Sequence, residues 1–308
     1  MIAALFPGQG SQAVGMTQAF YDDPAARAVL DRAEAALPGL LEIMWEGPEE
    51  TLQLTANQQP ALVAASAAAF TAYLEAGGER PGYAAGHSLG EFSAHVAAES
   101  LRLEDALKLV RKRGQYMQAA VPEGEGAMAA VLKVDAAQVR EVCENVGGTV
   151  EVANYNSPEQ TVISGERAAV QRASERLKEV RARVVPLNVS APFHCRLMKP
   201  AADKLAAALQ EVHFERPSMS VLSNVTADIV SDTGRAPHLL EEQVTHAVRW
   251  TEVVQRLLAL GVTTFLEFGS GKVLSGLVRR IDRSAVTYPI DHPDALAAVL
   301  SDLQGVKG

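Results

Sequence analysis

The sequence predicts an α/β protein in which a large subdomain with a parallel sheet carries a small inserted βαββαβ subdomain. Two apolar runs, Ile2 to Phe6 and Thr263 to Phe268, have the length and composition of buried strands. Residues 83–90 indicate a strand, a sharp turn and the start of a helix. Between residues 125 and 189 the strand and helix patterns follow in the order βαββαβ, which is typical of a ferredoxin-like unit.

Length and composition limit the class of protein. The 308 residues suit one large domain or a large domain with a small insert, and 48% hydrophobic residues are ample for a core. The net charge of -9, without a long basic run, argues against nucleic acid as the main partner. Cys143 and Cys195 lack metal-ligand spacing and cannot form a disulfide framework, so we expect no metal and a cytoplasmic location.

The sequence predicts neither a targeting segment nor a membrane span. The N-terminus, Met1 to Phe6, lacks a basic leader and meets Pro7-Gly8 at once, so it predicts a strand rather than a signal peptide. The apolar run from Ala61 to Leu74 is too short to cross a bilayer and is interrupted by Ser66 and Thr71. We therefore expect no membrane partner.

The large subdomain is predicted to comprise residues 1–124 and 190–308. The segment Asn57-Gln58-Gln59-Pro60 is expected to stop the chain, and an alanine-rich helix is predicted from Ala61 to Ala76. Gly77-Gly78 is expected to end that helix. Further helices are predicted at 24–37, 49–54, 103–121, 201–209, 250–260 and 273–280, and strands at 2–6, 219–224 and 263–268.

The small subdomain is predicted to comprise residues 125–189. It follows the boundary Pro122-Glu123-Gly124-Glu125-Gly126, and the chain re-enters the large subdomain at Ser190-Ala191-Pro192. Its strands are predicted at 127–134, 150–156, 160–164 and 183–189, and its helices at 136–146 and 167–180.

Gly86-His87-Ser88-Leu89-Gly90 matches the Gly-x-Ser-x-Gly nucleophile elbow, so the large subdomain is predicted to be α/β-hydrolase-like. The glycines let the strand and the helix pack closely around a strained turn, from which the Ser88 hydroxyl stands clear. The N-terminus of the following helix carries partial positive charge, which suits a developing oxyanion. A plain strand-turn-helix connection with a solvated serine is the alternative.

The loop after the first strand, Pro7-Gly8-Gln9-Gly10-Ser11-Gln12, allows close approach of its backbone. It is open whether this is a simple loop or a phosphate cradle, although the P-loop lysine is missing and the glycine spacing fails. A third interpretation is that the N–H of Gln9 supplies half of an oxyanion hole beside Ser88. A hydrolase-type elbow needs such a second loop, because the residue after the nucleophile provides only one N–H.

Arg113 lies on the apolar face of the predicted helix 103–121, in line with Leu109, Val110 and Met117. A guanidinium on a core-facing stripe needs an anionic partner. It is either a snorkelling or structurally paired arginine, or a clamp for a substrate carboxylate. Arginine suits the second task because its planar fork binds both carboxylate oxygens.

A serine hydroxyl needs a base to take its proton, and His194 is the candidate among seven histidines. It follows a strand and a proline at the seam between the two subdomains, where clefts form. His87 adjoins Ser88 and is expected to point to another face, and His95 lies out of easy reach on the following helix. A solvated position is expected for His213, His238, His246 and His292.

Seven motifs occur in order along nearly the whole chain. They are Gly8-Gln9-Gly10-Ser11-Gln12, Gln59-Pro60, Gly86-His87-Ser88-Leu89-Gly90, Arg113-Gly114, Asn154-Tyr155-Asn156-Ser157-Pro158, Pro192-Phe193-His194, and Gln243 with Val248-Arg249-Trp250. Together they resemble malonyl-CoA:acyl-carrier-protein transacylases, the acyltransferases that load fatty acid synthase. The inserted ferredoxin-like subdomain is also a feature of that family.

The resemblance implies a Ser–His pair in which Ser88 is the nucleophile and His194 is its base. The imidazole is oriented by a backbone carbonyl, that of Gln243, rather than by an acid. The backbone N–H groups of Gln9 and Leu89 would form the oxyanion hole.

The resemblance also implies residues that bind the acyl group. Arg113 corresponds to the clamp for the malonyl carboxylate, which accounts for its place on the apolar helix face. Gln59 is similar to a family side chain near the site. Phe193, just before His194, resembles malonyl-type rather than methylmalonyl-type relatives, since bulk there would crowd a methyl branch.

The reaction implied is transfer of a malonyl group from malonyl-CoA to Ser88, and then to the phosphopantetheine thiol of acyl carrier protein. It is a ping-pong reaction that supplies extender units for fatty acid synthesis, and no cofactor is expected. We expect a monomer. Because carrier proteins of this kind are acidic, as this chain is, recognition needs a local basic patch, for which Arg196, Lys199 and Lys272 are candidates.

Three other functions stay open. A serine hydrolase would share the elbow and the oxyanion hole, but the arginine in an apolar pocket and the lack of a third carboxylate argue against it. A non-catalytic module that binds carrier proteins would not need both Ser88 and His194. A polyketide acyltransferase is a closer relative, although the chain begins at the first strand and ends after the last elements, as expected of a free-standing enzyme.

Overall fold

A computed structural model gives the structure of residues 1–189 and 191–305. The strands, in chain order, are β1 (Ile2–Phe6), β2 (Tyr83–Gly86), β3 (Gly126–Leu132), β4 (Val150–Ser157), β5 (Gln160–Glu166), β6 (Arg183–Pro186), β7 (Ser220–Val221), β8 (Thr264–Phe268) and β9 (Val286–Ile290). The α-helices are α1 (Pro24–Ala36), α2 (Leu40–Trp45), α3 (Glu49–Gln53), α4 (Thr55–Glu75), α5 (Gly90–Ala97), α6 (Leu103–Ala119), α7 (Ala136–Asn145), α8 (Arg167–Glu179), α9 (Lys199–Leu209), α10 (Ala236–Glu242), α11 (Trp250–Ala259), α12 (Val273–Ile281) and α13 (Pro293–Gly305).

The larger sheet is parallel and has the strand order β7-β2-β1-β8-β9. Both of its faces are covered, which explains why β1 is apolar throughout rather than alternating. Ala4 and Phe6 belong to the hydrophobic cluster that contains the buried residues of α1, α4 and α6. Ala3 and Leu5 point to the opposite face and join the cluster formed with α11 and α12.

The smaller sheet is antiparallel, with the order β4-β5-β3-β6. Helices α7 and α8 cover it, and Val139, Ile163 and Leu177 are among the residues of its own hydrophobic cluster. The predicted α/β class, with a parallel sheet and an inserted βαββαβ unit, is confirmed. The subdomain limits themselves stay a prediction, and Ser190 and residues 306–308 lie outside the described residues.

The two sheets are joined by backbone hydrogen bonds from β4 to the segment that precedes α11. The N–H of Tyr155 donates to the carbonyl of Val248 (2.9 Å), and the N–H of Val248 donates to the carbonyl of Ala153 (2.9 Å). The Thr251 hydroxyl also donates to the carbonyl of Tyr155 at 3.0 Å. These bonds fix the smaller sheet beside the carboxyl ends of the parallel strands, where ligands bind in open α/β sheets.

The prediction that Asn57-Gln58-Gln59-Pro60 stops the chain is wrong, because α4 runs without a break from Thr55 to Glu75. Pro60 lies near the start of the helix, where its missing N–H removes one hydrogen bond of a long ladder. Gln58 to Phe70 is buried on every side, so tertiary packing outweighs the local preference of proline. One consequence is that Gln59 lies on the same rigid helix as the alanine-rich segment.

Other differences concern the ends of predicted elements and elements that the sequence did not predict. The strand predicted at 219–224 pairs only over Ser220–Val221, and the one predicted at 183–189 ends at Pro186. Helices α2, α10 and α13 and strand β9 were not predicted. Strand β9 is an edge strand whose residues are mostly part-buried or exposed, so it lacks the apolar run that marks a central strand.

Glu267, at the end of β8, is fully buried and binds the start of α12. Its two carboxylate oxygens accept hydrogen bonds from the N–H groups of Leu274 (2.9 Å) and Ser275 (2.7 Å). These are unpaired donors of the first helical turn, which the carboxylate satisfies. Glu267 therefore fixes α12 to the central sheet.

We expect Glu267→Ala to lower the free energy of unfolding by about 1–3 kcal/mol, since it leaves two buried N–H groups without a partner. Glu267→Gln keeps one acceptor oxygen, so its free energy of unfolding should fall less than that of Glu267→Ala. Urea unfolding of the two variants and the parent protein measures both effects. An alanine variant as stable as the parent would contradict this role of Glu267.

Candidate active site

The turn that carries Ser88 connects β2 to α5. Ser88 has φ 52°, a left-handed conformation that is strained for a residue with a side chain. At Gly86 an added Cβ would lie 1.8 Å from the carbonyl carbon of Gly90, so only glycine allows the strand and helix to approach this closely. The predicted strand-turn-helix geometry around Ser88 is confirmed.

Asn224 holds this turn from the end of the neighbouring strand. Its Oδ1 accepts a hydrogen bond from the N–H of Ser88 (2.7 Å), and its Nδ2 donates to the carbonyl of Gly86 (2.7 Å). The sequence reasoning did not single out Asn224. Its position just after β7 is a usable signal, because the carboxyl ends of parallel strands meet at one edge of the sheet.

His194 faces the Ser88 hydroxyl across the seam between the two subdomains. Its Nε2 lies 2.7 Å from Ser88 Oγ, and its Nδ1 lies 2.8 Å from the backbone carbonyl oxygen of Gln243. A carbonyl can only accept, so Nδ1 carries the proton and Nε2 is the acceptor for the serine hydroxyl. Burial, together with the positive charge of Arg113, lowers the pKa of His194 to about 3, so the ring is neutral.

Arg113 is fully buried beside the serine, in agreement with its predicted position on the apolar face of α6. Its Nη2 donates to Ser88 Oγ (3.2 Å) and to Oε1 of Gln243 (2.9 Å). Among the described residues, its Nε and Nη1 have no hydrogen-bond partner. Burial lowers its pKa to about 10, which still leaves a full positive charge at neutral pH.

The backbone N–H groups of Gln9 and Leu89 lie at the same edge of the large sheet. Phe6 of β1 pairs with Gly86 of β2, so these two residues each lie three positions beyond a paired residue. Within residues 1–189 and 191–305, neither N–H donates a backbone hydrogen bond outside the regular helices and strands. Both groups are thus available to another acceptor, and their role in an oxyanion hole stays a prediction.

Gln59 and Phe193 are both buried near this edge. The Gln59 Nε2 lies 3.4 Å from Oε1 of Gln9 and 3.9 Å from the sulfur of Met117. Helix α6 can approach α4 closely because Gly114 has no side chain: a Cβ there would lie 2.6 Å from the carbonyl oxygen of Thr55. This packing brings Arg113 and Gln59 to one site, but no contact of Phe193 assigns it a function.

The remaining histidines lie outside the Ser88–His194 pair. His87 points to the small subdomain, where its Nε2 is 2.8 Å from Oδ1 of Asn156, and His95 is buried against the Ser100 hydroxyl (2.7 Å). The expected solvent exposure is confirmed for His213, His238, His246 and His292.

Besides Asn224, two further buried polar groups of the site were not predicted from the sequence. The first is the carboxylate of Glu91, in the first turn of α5, which is fully buried and whose pKa burial raises to about 7. The second is the side chain of Gln243, which the sequence had singled out only for its carbonyl. Its Nε2 donates to Glu91 Oε2 (2.6 Å) and to the carbonyl of Ser88 (3.0 Å).

A cleft of about 1030 Å³ leads from His194 to the surface between the two subdomains. Arg196 and Lys199, two candidates for a basic patch, line it together with Arg140. Arg196 is paired with Glu151, and Lys199 is paired with Asp203, so part of their charge is neutralised. Lys272 is exposed but does not line this cleft.

The part of the chain that the structure describes contains no group of three or more His, Cys, Asp or Glu side chains that could hold a metal ion. Within the same residues, no helix has the length and apolar character needed to cross a membrane.

A family model for the acyl transferase domain matches residues 4–286. The chain belongs to this family. A malonyl CoA-acyl carrier protein transacylase of Bacillus subtilis (strain 168) is 45% identical over 98% of this chain and 97% of the relative. The resemblance drawn from the motifs is therefore confirmed.

Solved acyl transferases show the same fold. An acyl-carrier-protein S-malonyltransferase from Burkholderia pseudomallei 1710b superposes with a TM-score of 0.95 at 45% identity, covering 97% of this chain and 99% of that one. A malonyl-transacylase in complex with a type II PKS acyl-carrier protein has a TM-score of 0.95 at 41% identity, covering 98% and 99% of the two chains.

His194 stays the predicted base of Ser88. Because this ring is neutral far below the ordinary histidine pKa, we expect Ser88 to keep its reactivity well into the acid range. The rate at which a fluorophosphonate reagent modifies Ser88 should change little between about pH 8 and about pH 5. Mass spectrometry of the protein at each pH measures this rate, with His194→Ala as the unreactive control.

Circular dichroism at each pH must accompany this measurement. His87, His95 and His194 all have lowered pKa values in the folded protein, so folding stability is lost as the pH falls below their unfolded values. A loss of reactivity centred near 6.5 in protein that remains folded would contradict the neutral, buried base.

Proposed function

We propose that this chain transfers a malonyl group from malonyl-CoA to the phosphopantetheine thiol of acyl carrier protein, through a malonyl ester of Ser88. The observation that carries the proposal is the position of Arg113. Its guanidinium is buried, and its Nε and Nη1 have no hydrogen-bond partner among the described residues. Its Nη2 lies 3.2 Å from the Ser88 hydroxyl, which would bear the acyl group. Such a site favours an acyl group that ends in a carboxylate, and the names of the relatives support malonyl.

In the first half-reaction the Ser88 oxygen attacks the thioester carbonyl carbon while His194 Nε2 takes the hydroxyl proton. The distance of 2.7 Å between Oγ and Nε2 suits this transfer. The tetrahedral intermediate collapses with loss of the coenzyme A thiolate, which receives the proton from the imidazolium. A malonyl-serine ester and neutral His194 remain.

In the second half-reaction the carrier's phosphopantetheine thiol takes the place of coenzyme A. His194 removes the thiol proton, the thiolate attacks the ester carbonyl carbon, and the Ser88 oxygen leaves and is reprotonated by His194. The two half-reactions share one acyl-enzyme, so the kinetics are ping-pong. No step needs a metal or an organic cofactor.

The charge that develops on the carbonyl oxygen needs donors that are already in place. The N–H groups of Gln9 and Leu89 are proposed for this task, since both lie at the sheet edge beside Ser88. The N-terminus of α5 adds a favourable dipole at the same point. Loss of one oxyanion donor in other enzymes lowers the rate by about 10²–10³.

Selection of the acyl group is assigned to three side chains. Arg113 would pair with the malonyl carboxylate, Phe193 would limit branching next to the thioester, and Gln59 would order Gln9 through the contact at 3.4 Å. An acetyl group would leave the guanidinium unpaired. A charged hydrogen bond of this kind contributes about 1.5–3 kcal/mol.

The cleft beside His194 is proposed as the entrance for both substrates. Arg140, Arg196 and Lys199 line it, and they suit the phosphates of coenzyme A and the acidic surface of a carrier protein. We further propose a cytoplasmic monomer that provides extender units for fatty acid synthesis. The solved complex of a relative with an acyl-carrier protein supports the carrier as partner.

Brief incubation with malonyl-CoA should add one malonyl group to Ser88, and acetyl-CoA should label it far less. Intact-protein mass spectrometry followed by peptide mapping identifies the site. Ser88→Ala should remain unlabelled while binding the substrate, since only the nucleophile is removed. Rapid release of free malonate without a stable ester would instead favour a hydrolase.

Arg113→Ala should lower the rate of malonyl transfer by about tenfold to a hundredfold, the loss expected for one charged hydrogen-bonded contact. Acetyl transfer should be kept or increased, because no buried cation is left unpaired by that substrate. Lys112→Ala is the matched control, as Lys112 is exposed on the same helix. Equal loss of malonyl and acetyl transfer would rule out the clamp.

A further inference from the structure

We propose that Glu91 is a positioning residue for this transfer. By holding the side-chain amide of Gln243 in one orientation, it directs Arg113 toward acyl groups that carry a carboxylate. The inference rests on the proposed function, because it concerns the selectivity of that reaction. The hydrogen bonds of Glu91 Oε2 go to the N–H of Asn224 and the amide of Gln243 rather than to the Ser88 hydroxyl or the His194 ring.

The side chain of Gln243 is the junction between Glu91 and the site. Its Oε1 accepts from Nη2 of Arg113 at 2.9 Å. Its Nε2 donates to Oε2 of Glu91 at 2.6 Å and to the carbonyl of Ser88 at 3.0 Å. The backbone carbonyl of the same residue separately accepts from Nδ1 of His194 at 2.8 Å.

Only one orientation of this amide satisfies all of its neighbours. An amide presents an acceptor oxygen on one side and a donor NH₂ group on the other. If it were rotated by half a turn, NH₂ would face the Arg113 guanidinium, which can only donate. Its oxygen would then face the Ser88 carbonyl and the Glu91 carboxylate. Since all of these groups are buried, such mismatches would leave them unpaired.

Glu91 is itself fixed at the start of α5. Its Oε2 also accepts from the N–H of Asn224 at 3.1 Å, and Asn224 in turn holds the Ser88 turn. Both hydrogen bonds go to the same carboxylate oxygen. The arrangement therefore requires one acceptor oxygen at this point, which a glutamine could also provide.

The consequence for Arg113 is specific. Oε1 of Gln243 is the nearer of the two hydrogen-bond acceptors of Nη2, the other being Ser88 Oγ, and the ring of Phe92 lies 5.5 Å from the guanidinium carbon. Without a fixed amide the guanidinium loses its orienting contact and can turn from the acyl carboxylate. The Ser88–His194 pair keeps its geometry, because His194 is bound to the backbone of Gln243 and not to its side chain.

The test compares Glu91→Leu with Glu91→Gln, and measures labelling of Ser88 by malonyl-CoA and by acetyl-CoA in each. Glu91→Leu should lower the ratio of the malonyl rate to the acetyl rate by about tenfold or more, as expected when a charged contact is lost. Glu91→Gln retains the acceptor and should restore a ratio close to that of the parent. A merely structural role would reduce both rates together.

Gln243→Leu provides an independent arm, since it removes the amide but leaves the carbonyl that orients His194. It should lower the ratio of the malonyl rate to the acetyl rate as Glu91→Leu does. The double variant should lose little more, because both substitutions act through the contact between Gln243 and Arg113. An unchanged ratio in Glu91→Leu, or losses that multiply in the double variant, would overturn the proposal.

If Glu91→Leu does not fold, Gln243→Leu tests the proposal by itself. An unchanged ratio of the malonyl rate to the acetyl rate in that variant would also overturn the proposal. Failure of the proposed function is seen separately, as absence of malonyl-Ser88 in the parent protein.

Discussion

The structure of the site depends on one energetically unfavourable feature: the guanidinium of Arg113 is buried and forms no ion pair among the described residues. Arg113 is fully shielded from solvent, and its hydrogen bonds go to a serine hydroxyl and an amide oxygen, both neutral. Because Nε and Nη1 have no partner within the described residues, the site is incomplete in the absence of an anion. A substrate carboxylate would accept hydrogen bonds from these two nitrogens, and this pairing would contribute binding energy for the acyl group.

The charge of Arg113 also affects the protonation of His194, the proposed base. Burial and the nearby cation both disfavour protonation of His194, so its imidazole is neutral and ready to accept a proton. The cation also lies within hydrogen-bond distance of Ser88 Oγ, where it favours the developing alkoxide. In the proposed function, selectivity and activation of Ser88 thus both derive from Arg113, which the close packing of α6 on α4 at Gly114 positions.

The sequence predicted those residues of the site that stand out from their neighbours in the sequence. Glycines around Ser88 indicated a strained turn, and the charge of Arg113 conflicted with its apolar helix face. Glu91 does not stand out in this way, because an acidic residue is common in the first turn of a helix. Its burial depends on the packing of segments that are distant in sequence. The helix start predicted after Pro60 was wrong for a related reason. The sequence shows only the local tendency of proline to end a helix, whereas the burial of α4 outweighs that tendency.

The partner of His194 shows why a carbonyl serves this site better than an acid. A carboxylate at Nδ1 would raise the pKa of the imidazole and would place a permanent anion close to Arg113. It would then compete with the acyl carboxylate for the guanidinium and weaken selection of malonyl. The Gln243 carbonyl orients the ring at 2.8 Å without adding charge. The acidic group in the network, Glu91, is linked to Arg113 by hydrogen bonds through the Gln243 amide, and the charges of the two groups also attract each other. In the proposed function, Glu91 therefore orients the cation, while Nε and Nη1, which have no hydrogen-bond partner among the described residues, can bind the substrate.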